Sequence, residues 1–184
     1  MTTTVTRMYD KFSDARAAVG ELEAMGYSHA QISLVANNAD GAHSHPIPAV
    51  KAASETEAGV DAGRGAAVGG VVGGAGGMLA GLGLIIIPGL GPVAATGWLV
   101  SMIVGAAVGA ATAGAATGLV SALTRTGLDE HEAKVFAEGI RQGGTVVCVH
   151  AQTADADTAA KAMERFNPVD IHGRGDAYRL AGWG

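Results

Sequence analysis

Three observations predict an α+β fold, a ferredoxin-like sandwich made of a βαβ half and an αβαβ half and interrupted by a long glycine-rich apolar helical hairpin. Short β-branched runs alternate with alanine-rich helical stretches at both ends of the 184-residue chain. The two ends carry a weak repeat: Asp14-Ala15-Arg16-Ala17-Ala18 resembles Asp155-Ala156-Asp157-Thr158-Ala159, and each follows a strand and opens a helix. Between them, residues 65 to 124 contain no Asp, Glu, Lys, Arg or His.

Residues 1–36 form the first half. Thr3 to Tyr9 is rich in β-branched residues and reads as a strand. Ser13 is a candidate N-cap, Ala15, Ala18, Val19, Leu22 and Met25 follow helical spacing, and Gly26 supplies the stop. Gln31 to Ala36 is a second strand, reached by a crossover expected to be right-handed. Residues 37–64 mix Asn, Gly, Pro, Ser and Glu and read as a flexible linker. Its His43-Ser44-His45-Pro46 lacks further ligands at metal-binding spacing.

Residues 65–124 read as two helices folded on each other. Gly65, Gly69, Gly73, Gly77 and Gly81 stand four apart, as do Gly97, Ser101, Gly105, Gly109, Ala113, Thr117 and Ser121. That spacing places small residues on one helical face, where a second backbone can approach closely. Pro88-Gly89-Leu90-Gly91-Pro92 is the turn between the helices. Nine glycines between 65 and 83 would not hold a helix in water, since each costs about 1 kcal/mol relative to Ala. A bilayer would enforce it, and both arms reach the length of about 20 residues that a span needs. The expectation is therefore a membrane hairpin with the lipid bilayer as partner. Lys51, Arg64, Arg125 and Lys134 flank an uncharged turn, which places both termini on the cytoplasmic side of a bacterial inner membrane. Glycine and alanine drive insertion weakly. The alternative is a cytoplasmic homo-oligomer that buries the hairpin between subunits.

Residues 125–172 form the second half. Asp129 and Glu132 have capping-box spacing, and Ala133, Phe136, Ala137 and Ile140 make an apolar helical face that Gly143-Gly144 ends. Thr145 to Ala151 is the strongest strand in the chain. A helix over about 155–166 follows, stopped by Asn167-Pro168, and Val169 to His172 reads as a final strand. Residues 173–184 read as a flexible tail.

These segments carry a resemblance. Val5-Thr6-Arg7-Met8-Tyr9, the alanine-rich helix, Ile32-Ser33-Leu34-Val35-Ala36, the stretch Ile87-Pro88-Gly89-Leu90-Gly91-Pro92-Val93-Ala94 and the run Gly139 to Val147 are similar to the general stress protein (heat-induced stress protein) domain of bacteria. The similarity covers most of residues 3–171. It implies a link to bacterial stress responses and brings no catalytic motif.

The composition excludes several functions. A net charge of −5, a pI near 5.6 and 4% aromatic residues leave no footprint for nucleic acid. The single cysteine, Cys148, cannot form an internal disulfide. Met1-Thr2-Thr3-Thr4-Val5 lacks the basic and apolar regions of a secretory leader. Gly89-Leu90-Gly91-Pro92-Val93-Ala94 matches a dinucleotide fingerprint in form, but the first acid after it is Asp129, too far along to bind a ribose. Cys148 and His150 share a strand face, where a core cysteine beside a rim histidine accounts for both. The acids among Asp129 to Glu132 suit a helix start. No catalytic residue, cofactor or metal is therefore predicted. The expected function is a non-enzymatic stress-associated protein whose glycine faces mediate self-association, with a small-ligand or nucleotide-binding domain as second alternative.

Overall fold

The computed structural model describes residues 2–41, 83–87, 90–109 and 116–182. The strands are β1 (Thr2–Tyr9), β2 (Ile32–Asn37), β3 (Gly83–Ile87), β4 (Gly91–Thr96) and β5 (Thr145–Gln152). The helices are α1 (Phe12–Ala24), α2 (Trp98–Gly109), α3 (Ala116–Arg125), α4 (Glu130–Arg141), α5 (Ala156–Glu164) and α6 (Ile171–Leu180). The fold is α+β, and its sheet has the order β1-β5-β2-β4-β3 with every neighbouring pair antiparallel. Because β5 is antiparallel to both β1 and β2, those two strands run parallel on either side of it.

Helices cover both faces of the sheet. On the first, Ala15, Ala18, Val19 and Leu22 of α1 and Ala159 and Met163 of α5 pack over Val5, Ile32, Leu34, Val147 and Val149. Arg165, just beyond α5, reaches Glu21 of α1 at 3.0 Å. The two helices that begin with the repeated sequence therefore lie together on one face. On the second, Leu99 and Ile103 of α2, Leu119 and Leu123 of α3, and Ala133, Phe136 and Ile140 of α4 pack over Val35, Val93, Ala95, Val146 and Cys148. With helices on both sides, β2 and β5 are buried along nearly their whole length.

Local chemistry sets the boundaries. Gly26 has φ +95°, and Tyr27 N–H donates to Leu22 O at 3.1 Å, a Schellman stop for α1. Gly143 has φ +105°, and Gly144 N–H donates to Gly139 O at 2.8 Å, which ends α4 the same way. The N-cap of α1 is Lys11, without a side-chain bond, and Ser13 lies inside the helix. Asp129 caps α4 by accepting from His131 N–H at 2.8 Å, while Glu132 lies 3.9 Å from His172 of α6.

The helical hairpin is corrected. Residues 83–87 and 91–96 are strands of one β-hairpin, and Gly91 and Pro92 open its second strand. Gly65, Gly69, Gly73, Gly77, Gly81, Pro88 and Gly89 lie outside the described residues. Ile85 and Ile86 suit a strand far better than a glycine-diluted helix, and a sheet neighbour at β2 satisfies the backbone of β4. The membrane anchor and the membrane location are overturned with it. Among the described residues no helix is long and apolar enough to cross a membrane. The 12 residues of α2 span about 18 Å, against a hydrocarbon core of about 30 Å. The proposed orientation, with both termini cytoplasmic, loses its basis.

The C-terminal end also differs. Val169 to His172 does not form a strand. Val169 N–H gives a single bond to Met8 O at 2.7 Å, and α6 starts at Ile171. The expected loose tail is mostly that helix. Asp170 caps it by accepting from His172 N–H and Gly173 N–H, Tyr178 is buried, and Arg174 grips Asp10 at 2.7 and 2.8 Å.

Candidate functional site

The cysteine and histidine that share a face of β5 differ in their surroundings. Cys148 lies on the second face of β5 and is fully buried. Burial pushes its thiol up to about 12, even though Thr6 Oγ1 donates to Sγ at 3.5 Å. At neutral pH it is a thiol, not a nucleophilic thiolate. His150, two residues on, stacks on Trp98 with ring centroids 3.8 Å apart and planes inclined by 20°. Burial holds that imidazole below its ordinary value. Trp98 Nε1–H donates to Gln31 O at 3.3 Å, and Leu99 N–H donates to Ser33 Oγ at 2.9 Å. These groups therefore moor the start of α2 to β2 and β5. Sequence reasoning missed this mooring, because no local pattern links Trp98 to a strand 52 positions away.

The dinucleotide reading needs a helix directly after Gly91, to aim its N-terminus at a pyrophosphate. That stretch is β4, so the required geometry is missing. Among the described residues no group of three metal-ligating side chains comes together. A polar cleft of about 280 Å³ lies between α4 and α6, lined by His131, Glu132, Val135, Ile171, His172, Asp176 and Arg179. Arg179 pairs with Asp176 within it.

The proposed helix-packing residues are distributed as follows. Gly97 precedes α2 and serves the sheet: it has φ +88°, and a Cβ there would lie 2.3 Å from Ile32 O. Ser101 is exposed, whereas Leu99 and Ile103 of the same helix are buried. Gly105 and Gly109 lie in the second half of α2.

The two edges of the sheet contrast. In an antiparallel strand the N–H and C=O of one residue point to the same side, and the side alternates along the chain. At β1, Met8 O accepts from Val169 N–H, so Thr4, Thr6 and Met8 direct their backbone groups outward. Its C-terminal half is occupied: Val169 takes Met8, the Arg7 guanidinium donates to Thr6 O at 3.0 Å, and Arg7 pairs with Glu164 at 3.1 Å. At the opposite edge Pro92 O accepts from Asn38 N–H at 2.9 Å, so Pro92 turns toward β2. Pro92 pairs with Ile86, and Ala94, which also turns to β2, pairs with Leu84. Leu84 and Ile86 therefore direct their N–H and C=O groups away from β4. Among the described residues β3 pairs with β4 alone, and its sequence Gly-Leu-Ile-Ile-Ile has neither charge nor proline. No known family, characterised protein or solved structure matches the chain.

Proposed function

We propose that this chain is a non-enzymatic assembly or sensor protein that works as a homo-oligomer. The observation that carries this reading is the contrast between the edges: an arginine and a crossing segment guard the C-terminal half of β1, and among the described residues nothing guards β3. An unguarded apolar edge strand is a ready template for another chain. The glycine-rich, charge-free stretch directly precedes β3 in the sequence, which supports burial between subunits. The resemblance to bacterial general stress proteins supports a role in stress physiology.

We also read β1-α1-β2 and α4-β5-α5 as the halves of a ferredoxin-like core. The placement of β5 between parallel β1 and β2, with α1 and α5 on one face, supports it. On that reading α6 takes the place of the fourth strand and the β3–β4 hairpin extends the sheet beyond β2.

Size-exclusion chromatography with light scattering on the full chain tests self-association. A discrete multiple of 18.2 kDa is expected across a hundredfold range of concentration centred at about 10 μM. A mass of one chain throughout would remove the proposal.

A further inference from the structure

We infer that two copies of the chain join by antiparallel pairing of β3 with β3 about a two-fold axis, making one continuous sheet. The inference rests on the self-association proposed above and names its contact. Leu84 and Ile86 both direct backbone donors and acceptors outward, with Ile85 between them turned toward Val93. Setting the axis at Ile85 pairs Leu84 with Ile86 of the second copy, and Ile86 with Leu84 of the second copy. In that register every outward backbone group of the two residues finds a partner. Shifting the register by one residue would face outward groups with inward ones, and a shift by two would leave one pair unmatched.

A second copy is the occupant that the edges select. The strand has no charge, so a copy of itself meets no like-charge repulsion. A head-to-tail arrangement that set β3 along Thr6–Met8 of β1 would have to displace Val169 from Met8 and Arg7 from Thr6 and Glu164. Two-fold pairing leaves β1 untouched and closes after two chains. Pro92 contributes as well: its missing N–H would point toward Asn38, beyond the last residue of β2, so it weakens neither the β3–β4 ladder nor the outer edge.

Ile86→Pro tests the contact. The substitution removes an N–H that faces outward, so the β3–β4 ladder is kept, and Ile85 before it is already extended. The full-length variant is expected to run as a single chain, while wild type runs as two. Amide exchange by NMR is the second measurement: Leu84 N–H in wild type should exchange roughly tenfold or more slowly than in Ile86→Pro. A wild-type multimer whose mass survives Ile86→Pro would overturn this contact and leave self-association through another surface standing. Slow Leu84 and Ile86 amides in a wild-type protein of single-chain mass would assign the edge to another part of the same chain, and would overturn both readings. Fast exchange at both amides in a wild-type multimer would overturn the contact even if Ile86→Pro did not fold.

Discussion

Gly97 shows how one residue connects the apolar stretch to the sheet. Its positive φ and the 2.3 Å approach of Ile32 O to a would-be Cβ exclude any side chain. Gly97→Ala should therefore lower unfolding stability by about 2–4 kcal/mol, measured by urea denaturation. A loss below about 0.5 kcal/mol would show that the turn relaxes freely. Cys148 yields a chemical prediction. With its thiol pushed up by burial, it should resist a thiol reagent at pH 8 and react stoichiometrically once guanidinium unfolds the chain. Prompt labelling of the native protein would contradict the closed core. For His150 the sign follows from linkage. Its folded value is depressed by burial, so the unfolded chain binds the proton more readily. The stability is fully present above the unfolded value of about 6.5 and is lost as pH falls through the folded one. Thermal melts from pH 8 down to pH 5 should show a component of this loss that His150→Gln abolishes; an unchanged profile in the variant would exclude His150 as its source.

At the scale of elements, the two helices that the sequence makes hardest to interpret are held by opposite means. α2 is apolar and glycine-diluted, and it is anchored through its first turn by Ser33, Gln31 and the Trp98–His150 stack. α6 is polar and contains Gly173 and Gly175, and it depends on a cap and on ion pairing. Asp170 satisfies two otherwise orphan N–H groups, and Arg174 ties the helix to Asp10. Asp170→Ala should cost about 1 kcal/mol. The loss should be local, with amides of α6 exchanging faster and those of β5 unaffected. A uniform change across the sheet would mean that α6 folds only as part of the global unit.

At the scale of the whole sheet, β1 is guarded over Thr6 to Met8, and among the described residues β3 is open. Removing the guard should change the assembly. In Arg7→Thr, Thr6 O loses its guanidinium donor and Glu164 its partner, so the β1 edge becomes available. The variant should form species larger than wild type, growing with concentration, because a second open edge permits chain-like addition. Sedimentation velocity of the two proteins at matched concentrations reads this directly. Identical distributions would mean that Val169 alone protects the edge.

The sequence by itself determined most of the two ends of the chain, on either side of the glycine-rich stretch. β-Branched runs located β1, β2 and β5, alanine spacing located α1 and α5, and Gly26 and Gly143 marked helix ends whose positive φ required glycine. These signals are local, and local geometry was enough to read them. The strand Thr-Val-Val-Cys-Val-His-Ala also held a hint that two faces would be covered, since it is apolar at consecutive positions and does not alternate. Tertiary structure decided the rest. Whether Gly83 to Thr96 becomes helix or strand depends on β2, which offers β4 a hydrogen-bonding edge more than 50 positions away in the chain. Helical spacing of small residues cannot register that neighbour. The same holds for α6, whose weak propensity is outweighed by Asp10 and Val135, and for the Trp98–His150 stack. Each is a contact between segments distant in sequence, formed only after the sheet has brought them together.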